Sequence, residues 1–131
     1  MENKIKKFEQ LTKYIKILEN DTFSKPTPKF DDGGICLAVL YSDNVYNFID
    51  DVRNFANKHP EFVPKNYYDI LIDYNYDKNI KWDEFSKMDA KYVIITLFHL
   101  INTERFCDGT LLENLRNGYV INWLKRLDEL D

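Results

Sequence analysis

This sequence contains few of the residues that bend or cross-link a chain. Among its 131 residues are four glycines, four prolines and two cysteines. Scarce glycine and proline favour long helices over turn-rich sheets, and so few glycines leave little material for a phosphate-binding loop. Cys36 and Cys107 lie far apart and outside any C-x-x-C pair. Neither a disulfide framework nor a zinc motif is therefore indicated.

Long apolar runs are also missing. No stretch approaches the roughly 18 residues that a membrane-spanning helix needs. The first apolar residues alternate with lysines, so no signal peptide is evident. We therefore expect a cytoplasmic protein without a membrane partner.

Acidic residues outnumber basic residues in this sequence, 22 to 18. The net charge is −4, the wrong sign for a protein that neutralises phosphates, so nucleic acid is disfavoured as a partner. The first predicted helix nevertheless carries a cluster of basic residues, Lys4, Lys6, Lys7, Lys13 and Lys16. Such a cluster is typical of the solvated face of an amphipathic helix, and nucleic-acid binding is the weaker alternative.

Apolar residues make up 44% of the chain and aromatic residues 15%, enough to fill a core. Their spacing of three and four residues predicts amphipathic helices. These cover residues 3–19, the stretch from an N-cap at Ser42 to Pro60, residues 65–75, a buried helix capped by Asp89, a short helix around 111–115 ending at Asn117-Gly118, and residues from 120 onward. The pattern at 65–75 also fits a strand. We predict a mainly α fold, a single domain over residues 1–131 with five to six helices in a compact bundle and one short extended segment at 35–41.

The C-terminal part contains Glu104-Arg105-Phe106-Cys107-Asp108-Gly109, then Leu111-Leu112, Asn117-Gly118 and Leu124-Lys125-Arg126-Leu127. This resembles the signature of a small bacterial group, family 6508 of the domains of unknown function, as do Tyr41-Ser42 and Tyr67-Tyr68-Asp69-Ile70-Leu71. Where that family often has an arginine before the E-R-F block, this chain has Asn102-Thr103, which argues against a paired-arginine site. The resemblance implies a helical cytoplasmic protein and assigns no reaction.

A candidate ligand-binding site lies at the junction of two predicted helices. Glu104, Arg105 and Asp108 follow closely on His99. A guanidinium beside carboxylates suits an anionic ligand, because arginine binds carboxylate or phosphate through two parallel hydrogen bonds. The simpler interpretation is structural: Asp108 caps the next helix, Arg105 forms an ion pair, and His99 is a hydrogen-bonded interior histidine.

A second pattern resembles the calcium loop of an EF-hand. Its positions 1, 3, 5, 7 and 12 are occupied by Asp73, Asn75, Asp77, Asn79 and Glu84. Against calcium, Lys78 stands at the position where glycine normally makes the sharp turn, and no second loop is available for pairing. We favour a polar, solvated insertion between two helices and predict no metal site and no cofactor.

Two hypotheses for the function belong to different classes. The favoured one is a protein-binding adaptor or inhibitor of bacterial or phage origin, because the chain is acidic, shows no catalytic set and carries tyrosines such as Tyr74 and Tyr76 that suit interfaces. The alternative is a small-molecule-binding or enzymatic domain centred on Arg105, Glu104 and Asp108. We expect a binding protein with another protein as its partner, rather than an enzyme, and no catalytic residues.

Overall fold

A computed structural model describes residues 6–24, 41–103 and 109–131. Within these ranges the regular structure is helical, and the only strand-like pairing is an isolated antiparallel bridge between Ser24 and Tyr41. The α-helices are, in chain order, α1 (Glu9–Thr12), α2 (Tyr14–Glu19), α3 (Asp43–Lys58), α4 (Tyr67–Ile72), α5 (Ala90–Thr103), α6 (Thr110–Arg116) and α7 (Tyr119–Glu129). A π-helix, Asp73–Asp77, continues α4, and a 3₁₀ turn, Phe85–Lys87, precedes α5.

This architecture confirms the predicted mainly α bundle. Only Lys13 separates α1 from α2, so the two form one bent segment and the described chain has six helical segments. The ambiguous stretch at 65–75 is helical. Of the predicted extended segment at 35–41, only Tyr41 lies within the described residues.

The first helical segment starts later than the sequence pattern predicted. Residues 3–5 lie outside the described ranges, and α1 begins at Glu9. The backbone amides of Lys7 and Phe8 donate hydrogen bonds to the two side-chain oxygens of Asp131, at 2.8 and 3.1 Å. A carboxylate at this place satisfies amides that the helix leaves unpaired. It also joins the N-terminal segment to the residues that follow α7.

Helix α3 follows its sequence signals closely. The Ser42 hydroxyl accepts a 3.3 Å hydrogen bond from the amide of Val45, as an N-cap should. The helix ends at Lys58, because the residue before Pro60 is sterically kept out of the helical conformation. The predicted apolar stripe is buried, through Val45, Phe48, Val52, Phe55 and Ala56.

Helix α5 is the central element, as its broad apolar surface predicted. It packs against α3, α4, α6 and α7, and eight of its residues are buried. Asp89 caps it by accepting a 2.8 Å hydrogen bond from the amide of Tyr92. Despite its apolar character, no helix in the described part of the chain has the length and apolarity needed to cross a membrane.

Three lysines of the predicted basic cluster, Lys6, Lys7 and Lys13, contact other residues of the protein, and Lys4 lies outside the described residues. Lys6 pairs with Asp128 at 3.2 Å and Lys13 pairs with Asp51 at 3.3 Å. The ammonium of Lys7 lies 4.8 Å from the centre of the Phe62 ring. These contacts agree with the interpretation of this face as an ordinary charged helix surface.

Candidate ligand-binding cavity

Of the four residues predicted as a site, the structure describes only His99. Glu104, Arg105 and Asp108 lie outside the described residues, as do both cysteines. His99 lines a cavity, and so do Thr103 and Thr110, which flank the stretch 104–108 in sequence. The anion site at Arg105 therefore stays a prediction. His99 lies in the wall of a cavity, which the sequence did not indicate.

The cavity has a volume of about 540 Å³, within the range of small-molecule sites. It lies where α4 and the π-helix face α5, α6 and α7. It is lined by Tyr68, Leu71, Ile72, Asn75, Tyr76, Trp82, Tyr92, Thr96, His99, Leu100, Thr103, Thr110, Asn114 and Trp123. Apart from His99, none of these side chains is ionisable near neutral pH. The cavity is an aromatic and apolar chamber with a few neutral polar groups.

The π-helix contributes one wall of the cavity. The stretch that contains it was predicted to be a polar, solvated insertion between two helices, and most of its residues are exposed, but Tyr74 is buried. Asp73–Asp77 form a π-helix and not the loop from which calcium ligands converge. Within the described residues, no group of three His, Cys, Asp or Glu side chains could hold a metal ion. π-helices are rare and frequently occur at functional sites. Here the π-helix places Asn75 and Tyr76 at the cavity.

Partly buried hydrogen bonds hold the stretch after the π-helix against the bundle. The indole nitrogen of Trp123 donates to the carbonyl of Trp82 at 2.7 Å. The Tyr92 hydroxyl donates to the carbonyl of Ile80, also at 2.7 Å. Tyr74, which the sequence analysis placed at an interface, is buried, stacks on Tyr92 and donates to Asp89 at 2.9 Å. These bonds position Trp82 beside the cavity.

The mouth of the cavity is the main exposed apolar area of the described chain. Seven large hydrophobic side chains of the described residues are exposed, and four of them line this cavity: Tyr68, Ile72, Tyr76 and Trp82. Tyr76 is 74% exposed. Scattered exposed hydrophobic residues are ordinary, but a contiguous group commonly marks a ligand groove or an interface.

His99 is not the hydrogen-bonded interior histidine that the sequence favoured. It makes no hydrogen bond to the described residues, and its Nδ1 is fully enclosed without a partner. The ring lies between Tyr67 and Tyr68, with centroid distances of 6.0 and 5.4 Å. Burial lowers the pKa of His99 below its ordinary value of 6.5, so the imidazole is neutral at pH 7. Since only Nδ1 is fully enclosed, Nε2 is the nitrogen that a ligand can reach.

The remaining polar groups have distinct hydrogen-bonding states. The hydroxyls of Thr96 and Thr103 donate to helix carbonyls at 2.7 and 2.9 Å, which leaves their oxygens as acceptors. The amide nitrogen of Asn114 donates to the carbonyl of Thr110 at 2.9 Å. The side chain of Asn75 has no hydrogen-bond partner among the described residues. Asn75 and His99 are therefore the groups best placed to orient a polar part of a ligand.

These features define a class of protein: a helical domain with an aromatic cavity open at one side of its central helix. The chain belongs to a family of unknown function (DUF6508), whose model matches residues 4–131. That match confirms the family resemblance. No curated protein and no solved structure matches the chain.

Most of the cavity residues were not singled out in the sequence. Tyr68, Ile72 and Tyr76 recur at intervals of four, a helical spacing that could have marked them as one face. Trp82 and Trp123 are far apart in sequence, and no spacing pattern links them. His99 was selected on proximity to Arg105, and its neighbours Tyr67 and Tyr68 were not foreseen.

Protonation of His99 is expected to destabilise the protein in acid. Because its pKa is lowered on folding, the unfolded chain takes up a proton near pH 6.5 while the folded chain resists it. The free energy of unfolding should thus fall below pH 6.5 until the pKa of the folded state is passed, by at most about 1.4 kcal/mol per pH unit. Urea unfolding between pH 7.5 and 5 measures this slope.

The variant His99→Leu should lose that contribution to the slope. It should also raise stability at pH 7 by about 1 kcal/mol, since it removes an enclosed polar atom without a partner. His59→Gln replaces the other histidine and is the control. An unchanged acid slope in His99→Leu would contradict the assignment.

Proposed function

We propose that this protein is a small-molecule-binding domain whose ligand occupies the cavity between α4, the π-helix and α5. One observation supports this proposal above all. The cavity of about 540 Å³ is lined by four of the seven large hydrophobic side chains that are exposed in the described chain. Binding would cover apolar surface that otherwise meets water, at about 25 cal/mol per Å². It would also offer His99 and Asn75 a hydrogen-bond partner.

This proposal changes the order of the two hypotheses drawn from the sequence. The protein-binding hypothesis relied on exposed tyrosines, and Tyr74 is not one of them. The small-molecule hypothesis was centred on Arg105, Glu104 and Asp108, whereas the support now comes from aromatic side chains on other elements. A concave cavity of this volume is typical of sites for compact ligands, whereas protein interfaces are flatter.

The two tryptophans allow a direct test. The chain has two, Trp82 and Trp123, and both line the cavity. In a ¹⁵N-labelled sample each contributes one indole N–H signal. Titration with a library of neutral, anionic and cationic small molecules should yield ligands that shift both indole signals. If no compound in the library shifts both indole signals, the proposal is wrong.

A variant that fills the cavity completes this test. Thr96 lines the chamber and is 8% exposed, so Thr96→Phe should place its ring in the open volume. We expect unchanged thermal stability and loss of binding for every library hit. Thr103→Phe, at the end of α5, serves the same purpose if the first variant fails to fold. Retained binding in a folded, filled variant would place the ligand elsewhere.

A protein partner is the second candidate, and the exposure of Tyr76 favours it. A side chain that is 74% exposed covers little of a ligand inside the chamber, but amphipathic tyrosines are enriched at interfaces. Pull-downs with the wild type, Tyr76→Ala and the control Tyr46→Ala, an exposed tyrosine of α3, would decide. A stoichiometric partner lost only in Tyr76→Ala would support this candidate.

A further inference from the structure

Two rows of side chains run next to each other along α4 and the π-helix. One row, at the cavity, has a spacing of four residues: Tyr68, Ile72 and Tyr76. Each of these is followed directly by an aspartate, so a second row has the same spacing: Asp69, Asp73 and Asp77. Neighbouring residues on a helix are about 100° apart around its axis. The carboxylate row therefore runs beside the mouth of the cavity and not inside it.

Negative charge is concentrated in this part of the chain. Residues 67–85 contain five acidic residues and two lysines, a net −3 of the total −4. One of the lysines, Lys78, lies 4.1 Å from the centre of the Tyr74 ring. A hydrogen bond with Asp73, together with repulsion by its carboxylate, raises the pKa of Asp77. The carboxylates of Asp73 and Asp77 thus repel each other, and a nearby cation would relieve that repulsion.

The described residues that line the chamber offer aromatic rings and, with His99 neutral, no formal charge. Five of its lining residues are tyrosine or tryptophan: Tyr68, Tyr76 and Trp82 are exposed, whereas Tyr92 and Trp123 are buried in the wall. The faces of such rings attract cations. Because none of the described residues that line the chamber is a carboxylate, an ammonium group with N–H bonds would lack charged acceptors among them. A fully alkylated ammonium group has no N–H to satisfy, so it can enter with its charge facing the rings.

We propose that the ligand is a small organic cation with a quaternary ammonium group, held by the aromatic chamber and attracted by the aspartate row. This inference rests on the proposed function and specifies its ligand class. The aromatic rings would supply the contact, and the carboxylates at the mouth would supply a longer-range attraction that salt weakens. Anionic ligands would be disfavoured by the same carboxylates.

A matched pair of probes tests the charge alone. Choline and 3,3-dimethylbutan-1-ol have nearly the same shape, with nitrogen in one replaced by carbon in the other. Titrations of the full chain, followed by the fluorescence of Trp82 and Trp123, should give a Kd for choline about tenfold lower than for the alcohol. The affinity for choline should fall with added NaCl, and that for the alcohol should not.

Two variants separate the rings from the carboxylates. Asp77→Asn should weaken choline binding about two- to fivefold without affecting the alcohol, whereas Asp50→Asn, an exposed aspartate of α3, should change neither. Trp82→Leu should weaken choline binding about tenfold, with Trp123 as the remaining fluorescent reporter. Equal loss for choline in Asp77→Asn and Asp50→Asn would contradict a local role of the aspartate row.

The outcomes distinguish this inference from the proposed function. Preference for choline, with the expected dependence on salt and Asp77, supports the inference. Equal or tighter binding of the alcohol overturns it and leaves a small-molecule site for neutral ligands. If neither probe binds, a quaternary ammonium ligand is ruled out, and the library titration with the Thr96→Phe variant decides separately on the cavity.

Discussion

Replacing Leu124 by alanine is expected to lower the free energy of unfolding by about 2–5 kcal/mol, the range measured for buried leucines in other proteins. Leu124 is 0% exposed and lies on α7, which packs against α1, α2, α5 and α6. Truncation removes apolar contacts at the place where these helices meet, and surrounding side chains relax only partly into the space. Urea or guanidinium unfolding, followed by far-UV circular dichroism, measures the loss.

Leu130→Ala is the matched control for this prediction. Leu130 follows α7 directly and is 39% exposed, so the same atoms are removed from a site open to water. Its loss should stay below about 1 kcal/mol, since surface substitutions have small effects. Similar losses in the two variants would show that α7 is not buried in the way that the structure indicates.

Replacing Asp89 by alanine should have the second largest effect, a loss of about 2 kcal/mol. Its carboxylate caps α5 through the amide of Tyr92 at 2.8 Å and accepts the hydroxyl of buried Tyr74 at 2.9 Å. Loss of a cap typically costs about 1 kcal/mol, and a buried hydroxyl without its partner costs at least about another 1 kcal/mol. Chemical denaturation at pH 7 tests the sum.

A double-mutant cycle with Tyr74→Phe separates the contribution of the helix cap from that of the hydrogen bond between Tyr74 and Asp89. Tyr74→Phe removes the hydroxyl and leaves the cap intact. In the double variant Asp89→Ala/Tyr74→Phe no hydroxyl is left unpaired, so the combined loss should be smaller than the sum of the single losses by about 1 kcal/mol. Asp83→Ala, an exposed aspartate of the same connection, should change stability by less than about 0.5 kcal/mol. Strict additivity would show that the hydrogen bond from Tyr74 to Asp89 contributes nothing.

Several local features could be predicted because each depends on residues close together in sequence. Ser42 and Asp89 were recognised as caps from their position before an apolar stripe, and both accept the expected amide hydrogen bond. Gly118, with a φ of 84°, separates α6 from α7 as the Asn117-Gly118 pair indicated. The buried faces of α3 and α5 followed from helical spacing alone.

The π-helix escaped prediction because its cause is not local. The alternating Asp and Asn residues from 73 to 79 resemble a loop. The spacing of four in Tyr68, Ile72 and Tyr76, which continues α4, is less conspicuous than that alternation. Tyr74 stacks on Tyr92, with 4.6 Å between ring centroids, and bonds to Asp89. Such contacts with α5 and its cap hold the segment in a helical form that its local sequence does not specify.

The candidate site, too, could not be predicted from local sequence. The sequence drew attention to charged residues close together in the chain, Glu104, Arg105 and Asp108, whereas the cavity is built from side chains on five helices and on the connection that contains Trp82. Two of them, Trp82 and Trp123, are joined by a hydrogen bond between an indole nitrogen and a backbone carbonyl. A contact of that kind leaves no spacing pattern in the chain.

The sequence alone determined the helical class, the caps, the helix stops, the apolar faces and the family, because these follow from periodicity, short-range hydrogen bonding and a conspicuous signature. Only the tertiary structure decided which exposed residues gather at the mouth of the cavity, that Tyr74 faces inward, and that His99 has an enclosed nitrogen without a hydrogen-bond partner among the described residues. Those properties arise when α4, the π-helix and α5 meet. Their physical origin is the packing of distant segments, which excludes water from some polar atoms and leaves a chamber beside others.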